Sequence, residues 1–156
     1  MLYRLYLPTD FPQLYAIEQA CFQPPIRFSR RYMQHVLANP NSATWIAEED
    51  GTMTGFAIVD WATEATPTTA YIQTVEVASA CRKRGIATEL LRRVEASAGT
   101  AGAVAISLHV AESNTTAIRL YHAHGYLPQG REEDYYAPGI HALAYSKPLA
   151  QPKADG

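Results

Sequence analysis

The chain has 156 residues, with 13 lysines and arginines against 15 acidic residues, so the formal net charge is 13 − 15 = −2. That length suits one domain with one sizeable core. The near-neutral balance argues against a broad nucleic-acid surface, and 47% apolar residues with little net charge argue against disorder.

No apolar run reaches the roughly 18 residues that cross a bilayer, so no membrane association is expected. Met1 to Tyr6 has no basic flank followed by an apolar stretch and a small-residue cleavage site, which speaks against a signal peptide. Cys21 and Cys81 lie far apart without zinc spacing. The expectation is a reduced cytoplasmic pair and no metal.

In chain order, Leu2 to Leu7 alternates as a first strand, and Pro8-Thr9-Asp10 reads as a stop followed by a helix cap. Leu14, Ile17, Cys21 and Phe22 recur at helical spacing. Pro24-Pro25 ends that helix, because proline lacks a donor and fixes φ. Ser29 caps a second short helix carrying Tyr32, Met33, Val36 and Leu37. The apolar runs Ala43 to Glu48 and Met53 to Trp61 flank Asp50-Gly51, a hairpin signal. Thr63 to Thr68 is a polar loop. In the strand Tyr71 to Val77, Tyr71, Gln73, Val75 and Val77 alternate against Ile72, Thr74 and Glu76.

Ile86, Leu90, Leu91 and Val94 mark a third helix, entered through Arg84-Gly85 and stopping at Gly99. Val104 to Val110 is a buried strand, and Asn114 to His124 a fourth helix ending at Gly125. Tyr126 to Tyr136 and Ile140 to Leu149 close the chain as strands. Residues 1–149 therefore form a single domain, and 150–156 a short, polar, flexible tail. The order β α α β β β α β α β β specifies an α/β (α+β) layer fold, with helices packed on a mostly antiparallel sheet.

The turn Arg82-Lys83-Arg84-Gly85 between a strand and a helix carries the first chemical signal. Unpaired N–H groups at a helix N-terminus bind phosphate oxygens, and Gly85 and Ala87 admit a close approach. Arginine is mildly unfavourable at that end of a helix, so three consecutive basic residues favour an anionic ligand over a merely solvated basic turn. Five of the 13 basic residues, Arg82, Lys83, Arg84, Arg92 and Arg93, fall in this one segment. Neither G-x-G-x-x-G nor the P-loop motif is present.

Arg82-x-x-Gly85-x-Ala87 resembles the [QR]-x-x-G-x-[GA] motif of the GCN5-related N-acetyltransferases, the GNAT superfamily. About 30 residues on, Asn114-x-x-Ala117-Ile118-x-Leu120-Tyr121-x-x-x-Gly125-Tyr126 resembles its second signature. The resemblance covers residues 2–149. It implies a GNAT fold, a mixed sheet of about seven strands flanked by four helices, with acetyl-CoA as cosubstrate. Val75 and Val77 would pair with the pantetheine arm. The backbone of Lys83, Arg84, Gly85, Ile86, Ala87 and Thr88 would hold the pyrophosphate, with the Arg82, Lys83 and Arg84 side chains neutralising its charge. Asn114 would orient the CoA region, and Tyr121 would sit by the thioester sulfur as proton donor.

Acetyl transfer needs a neutral amine, and an imidazole suits an α-amine better than a lysine. His109 departs from the RimI-type ribosomal-protein acetyltransferases, which typically carry glutamate there. It resembles instead a eukaryotic subgroup that acetylates methionine-starting N-termini, with Leu-His-Val and a tyrosine eleven residues before the motif arginine. Tyr71 stands eleven residues before Arg82. The resemblance makes Tyr71 and His109 a general-base pair acting through water. By family position, the loop with Phe22, Pro24, Ile26 and Phe28 and the pair Tyr135-Tyr136 would wall a peptide groove, although core packing is expected of at least one of the apolar residues.

Glu132-Glu133-Asp134 reads as a solvated face, with attraction for a cationic N-terminus as the alternative. His35, His122, His124 and His141 share no ligand spacing. The sequence thus predicts an acetyl-CoA-dependent N-acetyltransferase, monomeric or homodimeric, acting on a protein or peptide N-terminus. The alternatives are a small-molecule amine or lysine side chain as acceptor, and a non-catalytic acyl-CoA-binding module.

Overall fold

Apolar side chains from every helix converge on the two faces of one seven-stranded sheet in the computed structural model, which describes residues 1–64 and 66–150. The strands are β1 (Leu2–Leu5), β2 (Ser42–Glu49), β3 (Thr52–Ala62), β4 (Thr69–Val77), β5 (Ala105–Ala111), β6 (Leu127–Ala137) and β7 (Ile140–Pro148). Their spatial order is β1-β2-β3-β4-β5-β7-β6. Only β4 and β5 run parallel; every other pairing is antiparallel. The helices are α1 (Phe11–Cys21), α2 (Arg30–Leu37), α3 (Ile86–Thr100) and α4 (Thr115–Ala123). This is the architecture expected from the sequence. The expected tail, from residue 151 onward, lies outside the described residues.

One core layer joins α3 to the sheet, with Leu90, Leu91 and Val94 closed against Ala57, Val59, Ile72 and Ile106. Each large aliphatic side chain so buried contributes about 1.5–3 kcal/mol. The opposite layer packs Leu14, Ile17, Met33 and Val36 of α1 and α2 onto Ile46, Phe56 and Ile58. β3 feeds both layers because successive side chains point to opposite faces. Its Gly55 lets β4 come close, since a Cβ there would stand 2.6 Å from the Glu76 carbonyl oxygen.

Local chemistry explains most boundaries. Ser29 Oγ accepts the Tyr32 N–H at 3.0 Å and caps α2, as expected. Asp50 and Gly51 both adopt positive φ, 51° and 78°, which suits a two-residue hairpin. Asp10 corrects the sequence expectation, because its carboxylate does not cap α1. It accepts two 2.8 Å hydrogen bonds from Arg4 and a 2.7 Å bond from the Leu7 N–H, clasping the first strand to the first helix. Phe22 leaves α1 in an extended conformation rather than ending it, and α3 runs past Gly99.

The strict alternation expected along β4 also fails. Ile58 faces Thr74 but its neighbour Val59 faces Ile72, so Gln73 is an extra residue, a β-bulge. The bulge reverses the phase of the strand. Tyr71 and Glu76, one odd and one even, therefore lie on the same face, toward α1 and α2.

Candidate active site

β4 and β5 pair from Thr69↔Ala105 to Ile72↔Leu108 and then separate. Beyond that point the β5-facing edge of β4 has no strand partner. A cavity of about 70 Å³ occupies the resulting wedge. Val75 lines it from β4, His109 from β5, Asn114 and Tyr121 from the α4 segment, and Tyr136 from β6. Phe22, Ile26 and Phe28 close it from the loop after α1, whereas Pro24 is exposed outside the lining. Phe28 also packs on the core beneath α1 and α2, as expected of at least one of these residues.

The proposed base pair is assembled. The Tyr71 hydroxyl lies 2.9 Å from His109 Nδ1, and the Tyr135 ring stacks on the imidazole at 4.6 Å with an interplanar angle of 17°. Burial, with the Tyr135 hydroxyl close by, raises the Tyr71 phenol well above its ordinary pKa, so it stays protonated. Sequence reasoning read Glu132 only within an acidic run. The structure places its carboxylate 2.9 Å from His109 Nε2. Glu133 instead pairs with Arg131, and Asp134 accepts the Gly139 N–H.

On the other wall, Tyr121 is 5% exposed, and its ring meets Tyr126 edge-on at 5.5 Å. Burial raises its phenol, as does the nearby Glu76. Tyr136, beside the same cavity, is pushed up to about 12 by burial and by Tyr135. Asn114 Oδ1 accepts the Ala117 N–H at 3.2 Å, so Asn114 is the N-cap of α4, and its amide N–H groups remain free to donate.

Gly85 takes φ +80° and Lys83 φ +64°, and both are exposed. The first bond of α3 runs from the Glu89 N–H to the Gly85 carbonyl. The N–H groups of Ile86, Ala87 and Thr88 therefore have no partner within the helix, and its positive dipole end adds to them. Ile86 itself is a buried core residue whose side chain faces the sheet.

The basic cluster is largely spent elsewhere. Arg82 Nε donates to the Val77 carbonyl at 3.2 Å, and its guanidinium also reaches Cys21 Sγ. Arg84 is ion-paired with Glu49, and Arg92 and Arg93 with Glu89. That leaves Lys83 as the one cation of the turn without a partner among the described residues.

A buried carboxyl pair escaped the sequence analysis. Glu18 on α1 and Glu76 on β4 are 1% and 3% exposed, and each has one oxygen, Oε1, without a conventional partner. The remaining oxygens accept the Phe28 N–H and the Thr74 hydroxyl, at 3.1 and 2.8 Å. Burial and the neighbouring Glu18 raise Glu76 well above the ordinary carboxyl range, which favours its protonated form. The signal was hidden because the bulge at Gln73 is what turns Glu76 toward α1.

Comparison with known proteins places these features in context. Over 99% of the chain, the fold matches the crystal structure of the ribosomal-protein-S18-alanine N-acetyltransferase from Escherichia coli, with 97% of that chain covered, TM-score 0.83 and 20% identity. It also matches Arabidopsis thaliana NAA60 solved with a bisubstrate analogue, with TM-score 0.81 and 25% identity over 97% of this chain and 99% of that one. The catalytic subunit NAA10 of the N-terminal acetyltransferase A complex from Arabidopsis thaliana is 31% identical over 121 residues, 76% of this chain. The chain spans 62% of that relative's length. The profile of the acetyltransferase (GNAT) family matches residues 11–126. The chain belongs to the acetyltransferase (GNAT) family.

Proposed function

We propose that this protein transfers the acetyl group of acetyl-CoA to the N-terminal α-amine of a protein or peptide. The observation that carries the reading is the Tyr71–His109 pair, at 2.9 Å, with His109 and Tyr121 lining the same cavity. The residues present suit acetyl-CoA. The open edge of β4 at Val75 offers main-chain groups to the amide-bearing arm. The three free N–H groups at the start of α3, with Lys83 beside them, offer donors to a pyrophosphate. Arabidopsis NAA60, a structural relative with TM-score 0.81, has been solved with acetyl-CoA.

The chemistry balances without a further reagent. The neutral amine attacks the thioester carbonyl, a C–N bond forms and the C–S bond breaks. The proton lost by the amine passes to His109 by way of Tyr71 or water, and the departing sulfur regains a proton. Tyr121 remains protonated throughout the neutral range and can donate to that sulfur. At neutral pH roughly a tenth of an α-amine near pKa 8 is uncharged, against less than about one part in a thousand of a lysine near 10.4, which favours the N-terminal acceptor. The free cysteines Cys21 and Cys81 support a cytoplasmic setting for the enzyme.

An array of peptides with free N-termini, incubated with acetyl-CoA and read by mass spectrometry, tests the proposal. Acetylation at the α-amine is the expected result. Acetylation of polyamines or of internal lysines alone would overturn it in favour of the small-amine or lysine acceptor. Binding of acetyl-CoA without transfer to any amine would indicate a non-catalytic module.

A further inference from the structure

We propose that Glu132 is a positioning residue for His109, fixing the imidazole tautomer in which an unprotonated Nδ1 faces Tyr71. This inference rests on the assignment of His109 as general base. Both ring nitrogens are engaged, Nδ1 with the Tyr71 hydroxyl and Nε2 with Glu132 Oε1, each at 2.9 Å. A neutral imidazole has one donor and one acceptor, and a carboxylate only accepts. Nε2 therefore carries the hydrogen and donates to Glu132, while Nδ1 accepts from the Tyr71 hydroxyl. Tyr71, His109 and Glu132 thus form one directed chain. When His109 takes the amine proton, the resulting positive charge stands beside the Glu132 carboxylate and the proton remains on the ring.

The sheet is built to allow this reach. Glu132 on β6 and His109 on β5 are separated by β7, where Ala144 faces His109 and Ala142 faces Glu132. All four lie on one face of the sheet, and the two alanines leave the space between the strands open. The Tyr135 ring stacks on one face of His109, and the Glu132 carboxylate meets Nε2 at the solvent-facing side of the ring, its side chain 53% exposed. Neither Glu133 nor Asp134 competes for the imidazole, since Arg131 and the Gly139 N–H engage them.

Nitrogen-15 imidazole spectra and steady-state kinetics on the full chain test the proposal together. The wild type should show His109 as a single Nε2–H tautomer, with the signal assigned by its loss in His109→Ala. Glu132→Ala should release a tautomer mixture and lower kcat at least about tenfold, with both KM values within about twofold. Glu132→Gln should keep the tautomer, because its amide oxygen accepts the same bond, and should recover part of the rate. Glu133→Gln should leave kcat unchanged. If Glu132→Ala keeps both tautomer and kcat while His109→Ala loses kcat, Glu132 has no positioning role and His109 remains the base. A rise in peptide KM alone would make Glu132 an acceptor contact and overturn the proposal. Full activity in His109→Ala would instead remove the base assignment itself, and the role of Glu132 with it.

Discussion

Tyr121 separates what an aromatic ring does from what its hydroxyl does. The ring is committed to packing, edge-on to Tyr126 and closed in the core beneath α3 and α4. The hydroxyl has no protein partner among the described residues and borders the cavity. Tyr121→Phe should therefore cost less than about 1 kcal/mol of stability, because no hydrogen bond is broken. It should nevertheless lower kcat about 100-fold, the usual scale for losing a positioned proton donor. Thermal melts beside steady-state kinetics make the comparison, and an unchanged kcat would exclude the hydroxyl from the reaction. His109→Ala should likewise lower kcat by about 100-fold and leave the KM for acetyl-CoA unaffected, since the start of α3 is untouched. Tyr121 and Tyr71 were singled out by their intervals from Asn114 and Arg82, and His109 by the Leu108-His109-Val110 run at a strand end. Glu132 was not, because its partner lies 23 residues away across an intervening strand.

Among elements, the turn into α3 offers an anion main-chain N–H groups, since Arg82 and Arg84 are engaged with Val77 and Glu49. Gly85 holds φ at +80°, and a Cβ there would meet nothing within 4 Å. The penalty for Gly85→Ala is thus conformational, about 1–2 kcal/mol for an L-residue in the left-handed region. Relief of that strain by rotating the turn would misdirect the N–H groups of Ile86 to Thr88. The expected outcome is a several-fold rise in KM for acetyl-CoA with kcat nearly preserved, measured at saturating peptide. An equal fall in kcat at unchanged KM would contradict the assignment of this turn to binding.

The same segment shows where sequence reasoning stopped. Periodicity, the Ser29 cap and the Asp50-Gly51 hairpin are local properties, and they delivered the elements in their correct order. The fates of Arg82, Arg84, Arg92 and Arg93 depend on Val77, Glu49 and Glu89, contacts that spacing alone does not specify for the first two. The bulge in β4 is likewise set by pairing with β3, so alternation assigned Glu76 to the wrong face relative to Tyr71.

For the whole molecule, two buried carboxyls give stability opposite dependences on pH. Hydrogen bonds from Arg4 hold the Asp10 carboxyl below its ordinary value of 3.8, so its contribution is present above that pH and is lost as pH falls through the folded value. Burial raises Glu76 above its ordinary value of 4.5, so its contribution is complete below pH 4.5 and is lost as pH rises toward the folded value. One such group changes stability by at most about 1.4 kcal/mol per pH unit, or about 4 °C in Tm for a chain of this size. Glu76→Gln removes the titrating group while keeping its shape, and its amide oxygen can still accept from Thr74. Calorimetry from pH 3 to pH 9 should therefore show Glu76→Gln flattening the decline above about pH 5 while keeping the acid limb. Asp10→Asn should lower Tm at neutral pH and flatten only the acid limb, because Arg4 loses its charged partner. A Glu76→Gln protein that declines toward alkaline pH as steeply as the wild type would mean that Glu76 is not the group whose ionisation weakens the fold.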